Sequence, residues 1–195
     1  MADRGTIRAF LAMDPPPEVL RRIADIQEAL KKTLRGSISW VRPEGIHLTL
    51  KFFGDMAADN LPPISEVVSG QAAGTRPLHL NIKGLGVFPG IRRPRVLWLG
   101  VGGEVARLIA LQGVLDQGFE KTCGIKKEER PFRAHLTLAR IKSPQGLSGL
   151  DKVLEEKEAE SAGSFEAKGL ILFKSDLTPK GAIYTVLADF PFQGS

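Results

Sequence analysis

Two tetrapeptides carry the residue types for acid–base chemistry: His47-Leu48-Thr49-Leu50 and His135-Leu136-Thr137-Leu138 repeat the pattern His-x-Thr-x. Each lies in a run of β-branched and large apolar residues, about 46–53 and 134–141, that reads as a strand. Alternation along a strand points His and Thr to one face and the leucines into a core. Each copy therefore presents an imidazole beside a hydroxyl, and the two copies together make one site with two of each. Free imidazole titrates at about 6.5, which suits a general acid and a general base working as a pair near neutral pH. The hydroxyls of Thr49 and Thr137 suit hydrogen bonding to oxygens that gain charge in a transition state. A single histidine in a strand is ordinarily structural. The third one, His79, lacks a threonine two positions on and reads as a solvent-facing strand residue.

Other constellations are weaker. The chain has no His-x-His, His-Glu-x-x-His or Cys-x-x-Cys spacing, so no metal site and no cofactor are expected. Cys123 ends an amphipathic helix without the surroundings of a nucleophile. Gly100-Val101-Gly102-Gly103 joins a strand to a helix, where phosphate loops occur, but it lacks a Lys-Ser/Thr ending and Glu104 follows it. A helix entry is the reading. Basic residues cluster at Arg92, Arg93 and Arg95, at Lys126 and Lys127, and at Arg130, Arg133 and Arg140. Lys51 and Arg140 are the candidates for holding a phosphate beside the imidazoles. Strict alternation puts Lys51 on the face of His47 and Thr49 and sends Arg140 away from His135, unless a bulge intervenes.

These residues need a scaffold, and periodicity supplies one. Strands are expected over 6–13, 37–41, 46–53, 78–83, 95–101, 134–141, 165–174 and 182–190. Helices are expected from the prolines at 15–17 to Leu34, over 62–73, over 104–121 and over 147–157. Strands and helices mix without a sustained β-α repeat, and each motif strand accompanies one long helix. The fold class is α+β: two pseudo-symmetric lobes of mainly antiparallel sheet with outer helices, facing each other across a central cleft.

The length of 195 residues fits a single bilobal domain. No apolar run reaches membrane-spanning length, the first residues lack a signal-peptide stretch, and there is one cysteine. A soluble, cytoplasmic protein without disulfides or membrane contact is expected. The formal net charge is +5, and the pI of about 9.5 is compatible with a polyanionic partner such as nucleic acid.

The surroundings of the motifs resemble a known group. Arg8 to Ala12, Trp40 to Gly54, Val87-Phe88-Pro89, Pro94 to Trp98, His135 to Arg140 and Ser175-Asp176-Leu177 with Gly181 and Tyr184 are similar to the bacterial and archaeal RNA 2′,3′-cyclic phosphodiesterases. These enzymes, also called 2′-5′ RNA ligases, belong to the two-histidine phosphoesterase superfamily. The resemblance covers nearly the whole chain. It departs at Ala134, where the family usually has proline, a position that shapes the strand entry rather than the chemistry. It implies a bilobal, metal-independent enzyme, read as a monomer, that opens 2′,3′-cyclic phosphate ends of RNA to 2′-phosphomonoesters. His47 is then the proton donor and His135 the proton acceptor, an assignment that rests on the family because the two motifs are themselves symmetric. Reverse 2′-5′ ligation follows from microscopic reversibility. A noncatalytic RNA-binding module, or a two-histidine enzyme for another cyclic phosphate, is the alternative.

Overall fold

The computed structural model describes residues 5–179 and 181–194. Strand β1 (Thr6–Met13) leads through three prolines into helix α1 (Pro17–Thr33), where proline at the first helical positions costs no hydrogen bond. Strand β2 (Ile38–Trp40), a 3-10 turn at Pro43–Gly45 and strand β3 (Leu48–Ala57) follow. Then come helix α2 (Leu61–Gly74), strands β4 (Leu78–Phe88) and β5 (Val96–Gly103), helix α3 (Val105–Cys123) and strand β6 (His135–Ile141). Helix α4 (Leu150–Glu156) and strands β7 (Ser161–Ala167), β8 (Gly169–Thr178) and β9 (Gly181–Pro191) complete the chain.

All strands join one antiparallel sheet in the order β7-β4-β5-β6-β3-β1-β8-β9, with β2 on β6. The two expected lobes are thus two halves of a continuous sheet, β7-β4-β5-β6 and β3-β1-β8-β9. They meet where Leu48 of β3 pairs with Leu136 of β6. The single strand expected over 165–174 is two strands. The chain breaks at Lys168, so that β7 pairs with β4 in one half and β8 with β1 in the other. A run of alternating apolar residues does not announce a change of partner.

The four helices bury their apolar stripes in one core with one face of the sheet. Ile23 and Leu30 of α1, Ile64 and Val68 of α2, Leu108, Leu115 and Phe119 of α3 and Val153 of α4 meet Leu11, Leu48, Leu80, Leu99 and Leu136 there. Among the described residues the opposite face carries no helix; Phe10, Ala12 and Phe173 form a small cluster there, with Ile171 and Tyr184 packed against it. That open face is the cleft. Ala9 to Met13 is apolar at every position and is buried without interruption, because the sheet packs on both faces there. Among the described residues no helix is long and apolar enough to cross a membrane.

Each half grips the other. Gln27 of α1, 2 % exposed, donates from Nε2 to the carbonyls of Val41 and, on the second motif strand, Leu138, at 2.8 and 2.9 Å.

Candidate active site

The Leu48–Leu136 pairing places the two motifs side by side at the centre of the sheet. In that antiparallel register His47 lies beside Thr137 and Thr49 beside His135. The leucines of both motifs are buried in the core, so both imidazoles and both hydroxyls share the cleft face. His47 sits just ahead of the hydrogen-bonded part of β3 rather than inside it.

The two rings are held differently. Nδ1 of His47 is 2.6 Å from Oδ1 of Asp14, whereas Nδ1 of His135 is 2.7 Å from the backbone carbonyl of Arg133. A carbonyl only accepts, so Nδ1 of His135 carries the proton and its Nε2 is left with a lone pair when the ring is neutral. The His47 side chain is 8 % exposed. It is walled in by Phe10, Phe173 and Tyr184, with ring centroids at 5.6, 4.6 and 5.2 Å. Its Nε2 is buried with no hydrogen-bond partner.

The register explains the asymmetry. Met13 faces Leu48 and Leu99 faces Leu136, so the residue across from His47 is Asp14 and the residue across from His135 is Gly100. No side chain fits at Gly100, because a Cβ there would lie 2.8 Å from the carbonyl oxygen of Lys83. His135 has no carboxylate to turn to and takes the carbonyl two residues upstream. It lies edge-on to Phe88 at 5.0 Å, near Trp98 at 6.5 Å. The Trp98 indole, whose Nε1 is also buried without a partner, lies flat over Gly86, where a Cβ would be 2.3 Å from the ring. Arg133 places its guanidinium 6.0 Å from the Phe88 ring.

One extra residue follows the threonine in each motif. Ala12 faces Thr49 while Leu11 faces Lys51, so Leu50 is bulged out of register. Trp98 faces Thr137 while Leu97 faces Ala139, and Leu138 is bulged in the same way. Alternation restarts with opposite parity after each bulge. This corrects the expectation for Lys51, which turns away from His47 into the core layer and is 4 % exposed. Its Nζ meets Oδ1 of Asp116 at 2.5 Å and the carbonyl of Lys126 at 2.8 Å. It does not face the cleft. The equivalent bulge turns Arg140, exposed, to the face of His135 and Thr137. Sequence reasoning missed Phe52, which the first bulge turns to the cleft face, 59 % exposed and with its ring 5.7 Å from Phe10. It also missed Asp14, which offers no local signal beyond ending the strand before the helix.

The remaining singled-out residues lie elsewhere. His79 is 77 % exposed, 3.8 Å from Glu166. Glu104 accepts from the His79 amide at 2.8 Å and from Arg107 at 2.6 Å, and these two bonds hold its carboxyl below the ordinary value. A carboxylate at the entry of α3 leaves no place for a phosphate and agrees with the helix-entry reading. Cys123 is half-buried, and desolvation pushes its thiol up. Among the described residues no three His, Cys, Asp or Glu side chains are grouped to hold a metal ion.

A curled antiparallel sheet with helices on one face is the architecture shared with one class of phosphoesterase. The chain belongs to the LigT-like phosphoesterase family, which it matches over residues 13–98 and 101–184, one stretch for each motif. It is 38% identical over 184 residues to the RNA 2′,3′-cyclic phosphodiesterase of Methanothermobacter thermautotrophicus, covering 94% of this chain and 98% of that one. The enzyme of the same name from Aquifex aeolicus is 33% identical over 186 residues, covering 89% and 93% of the two chains. Among solved structures, a Thermus thermophilus protein superposes with a TM-score of 0.78 at 29% identity, over 96% of this chain and 99% of that one. Escherichia coli LigT complexed with 3′-AMP has the same fold, with a TM-score of 0.76 at 23% identity over 96% and 99%.

Proposed function

We infer that the chain hydrolyses 2′,3′-cyclic phosphate ends of RNA, with His47 and His135 as the acid–base pair. The observation that carries the reading is that both imidazoles are held through Nδ1, so that neither Nε2 is taken up by the protein; that of His47 lies under Phe10, Phe173 and Tyr184 and meets substrate once these rings shift. The names of the relatives support RNA as the substrate class.

The anchors support a division of labour that the motifs alone lack. His135, tied to a carbonyl, offers a lone pair at Nε2 and takes a proton from the attacking water. His47, tied to a carboxylate that balances the charge of a doubly protonated ring, delivers a proton from Nε2. Water adds to phosphorus, the bond from phosphorus to O3′ breaks, and O3′ leaves with the proton from His47. The product is a 2′-phosphomonoester. Thr49 and Thr137 donate to the non-bridging oxygens as their charge grows. Arg140 adds a planar cation suited to two phosphate oxygens, and the exposed ring of Phe52 offers a face for the terminal base. The reverse of this path joins ends through a 2′-5′ linkage. Both motifs come from one chain, so a single copy holds both halves of the site, and we take the protein to be a cytoplasmic monomer that needs no metal.

An oligonucleotide ending in a 2′,3′-cyclic phosphate, incubated with the protein in EDTA, tests the reading. A 2′-phosphate product, with turnover falling about a hundredfold or more in His47→Ala and in His135→Ala and unchanged in His79→Ala, is expected. Loss of activity in EDTA, or full activity in either motif variant, refutes it.

A further inference from the structure

We propose that Lys51, on the first motif strand, is a positioning residue for the histidine of the second motif. The inference rests on the functional reading above and concerns a contact on the opposite side of the sheet from the cleft. The bulge at Leu50 turns Lys51 inward, and its ammonium meets three groups of the other half. They are the carboxylate of Asp116 on α3 at 2.5 Å, the carbonyl of Lys126 at 2.8 Å and the carboxylate of Glu128 at 3.7 Å. Asp116, 6 % exposed, uses its second oxygen to accept from the Glu128 amide at 2.9 Å.

The significance lies in where residues 126–128 lead. The chain leaves α3 at Cys123 and has no regular structure until β6 starts at His135. The end of that segment supplies the Arg133 carbonyl that receives the Nδ1 proton of His135. Phe132 and Ala134 pack against the core and set how deep the segment lies. The Lys51–Asp116 pair fixes its other end, leaving only 129–134 between the tether and the ring it orients. A buried ion pair costs desolvation and is an inefficient way to add stability, since apolar residues of similar volume often serve as well or better. Here the charges hold two hydrogen-bonding groups of one segment at once, the Lys126 carbonyl and the Glu128 amide, which an apolar pair cannot do.

Two variants separate positioning from plain stability. Lys51→Met leaves Asp116 buried and unpaired and lowers the Tm. Lys51→Met/Asp116→Leu removes both charges and regains the Tm, but leaves the segment at 126–128 untethered. The chain has three histidines, so 15N-histidine labelling gives three ring spectra that need no substrate. In the wild type His135 should show the tautomer protonated at Nδ1. In both variants it should show exchange between tautomers, while His47 stays as it was. On a 2′,3′-cyclic phosphate end kcat should fall about tenfold or more in both, with KM changed less, because the displaced group reacts rather than binds. A double variant with a wild-type His135 spectrum and wild-type kcat overturns the proposal, since a purely structural pair predicts that activity returns with the Tm. If the wild type is inactive, the functional reading fails and the ring spectrum alone judges the tether. If neither variant folds, hydrogen exchange on the wild type decides. A Glu128 amide protected like those of β6 supports the tether, and one exchanging like a free loop refutes it.

Discussion

Asp14 is the residue whose removal bears most directly on the asymmetry of the site. Its carboxylate lies 2.6 Å from Nδ1 of His47, and the side chain is 41% exposed. A hydrogen bond to a charged group is worth about 1.5–3 kcal/mol, and solvent at the half-exposed carboxylate argues for the lower end. About 1.4 kcal/mol is a factor of ten in rate. Asp14→Ala should therefore lower kcat about tenfold, and Asp14→Asn, which keeps an acceptor but loses the charge, by less. Asp14 lies behind the ring, so KM for an oligonucleotide ending in a 2′,3′-cyclic phosphate should change little. The Tm should fall by a few degrees, because the same hydrogen bond is lost from the folded state. Steady-state kinetics with both variants, alongside a thermal melt, measures all three quantities. The reciprocal substitution Gly100→Asp should not rebuild the carboxylate at His135 but should destabilise the fold, because the new Cβ meets the Lys83 carbonyl at 2.8 Å. Wild-type kcat in Asp14→Ala would refute the claim that this contact holds His47 for proton transfer.

Further outcomes follow from the same geometry. Thr49→Val and Thr137→Val keep the β-branched shape and should fold, with kcat falling about tenfold to a hundredfold and KM changing less. A variant that weakens binding alone would place the hydroxyl in ground-state recognition. Arg140→Ala should lower kcat/KM by a comparable factor, and Arg140→Lys should recover little of it, since an ammonium lacks the planar fork. Burial pushes the Cys123 thiol above its ordinary value, so less of it is thiolate at a given pH. Alkylation near neutral pH should be slower than for free cysteine, should speed up as pH rises, and should reach the free rate in denaturant. A folded protein that reacts at the free rate would show that Cys123 is not desolvated.

Much of this protein is legible in one dimension. The repeated His-x-Thr-x, the strand character of both copies and the four helices are local patterns, set by side-chain periodicity and by prolines and glycines at their ends. They determine that two imidazoles and two hydroxyls are available and that leucines bury each motif from behind. Tertiary structure decided the rest. Whether Lys51 or Arg140 reaches the cleft depends on the parity of each strand after its threonine. That parity was reset by bulges at Leu50 and Leu138, where the partner strands are one residue short. Periodicity within a strand carries no record of its partner's register. The same holds for the histidines. Their motifs are identical in sequence, and what distinguishes them stands across the ladder: a carboxylate at Asp14, and at Gly100 no side chain, because a neighbouring carbonyl fills the space.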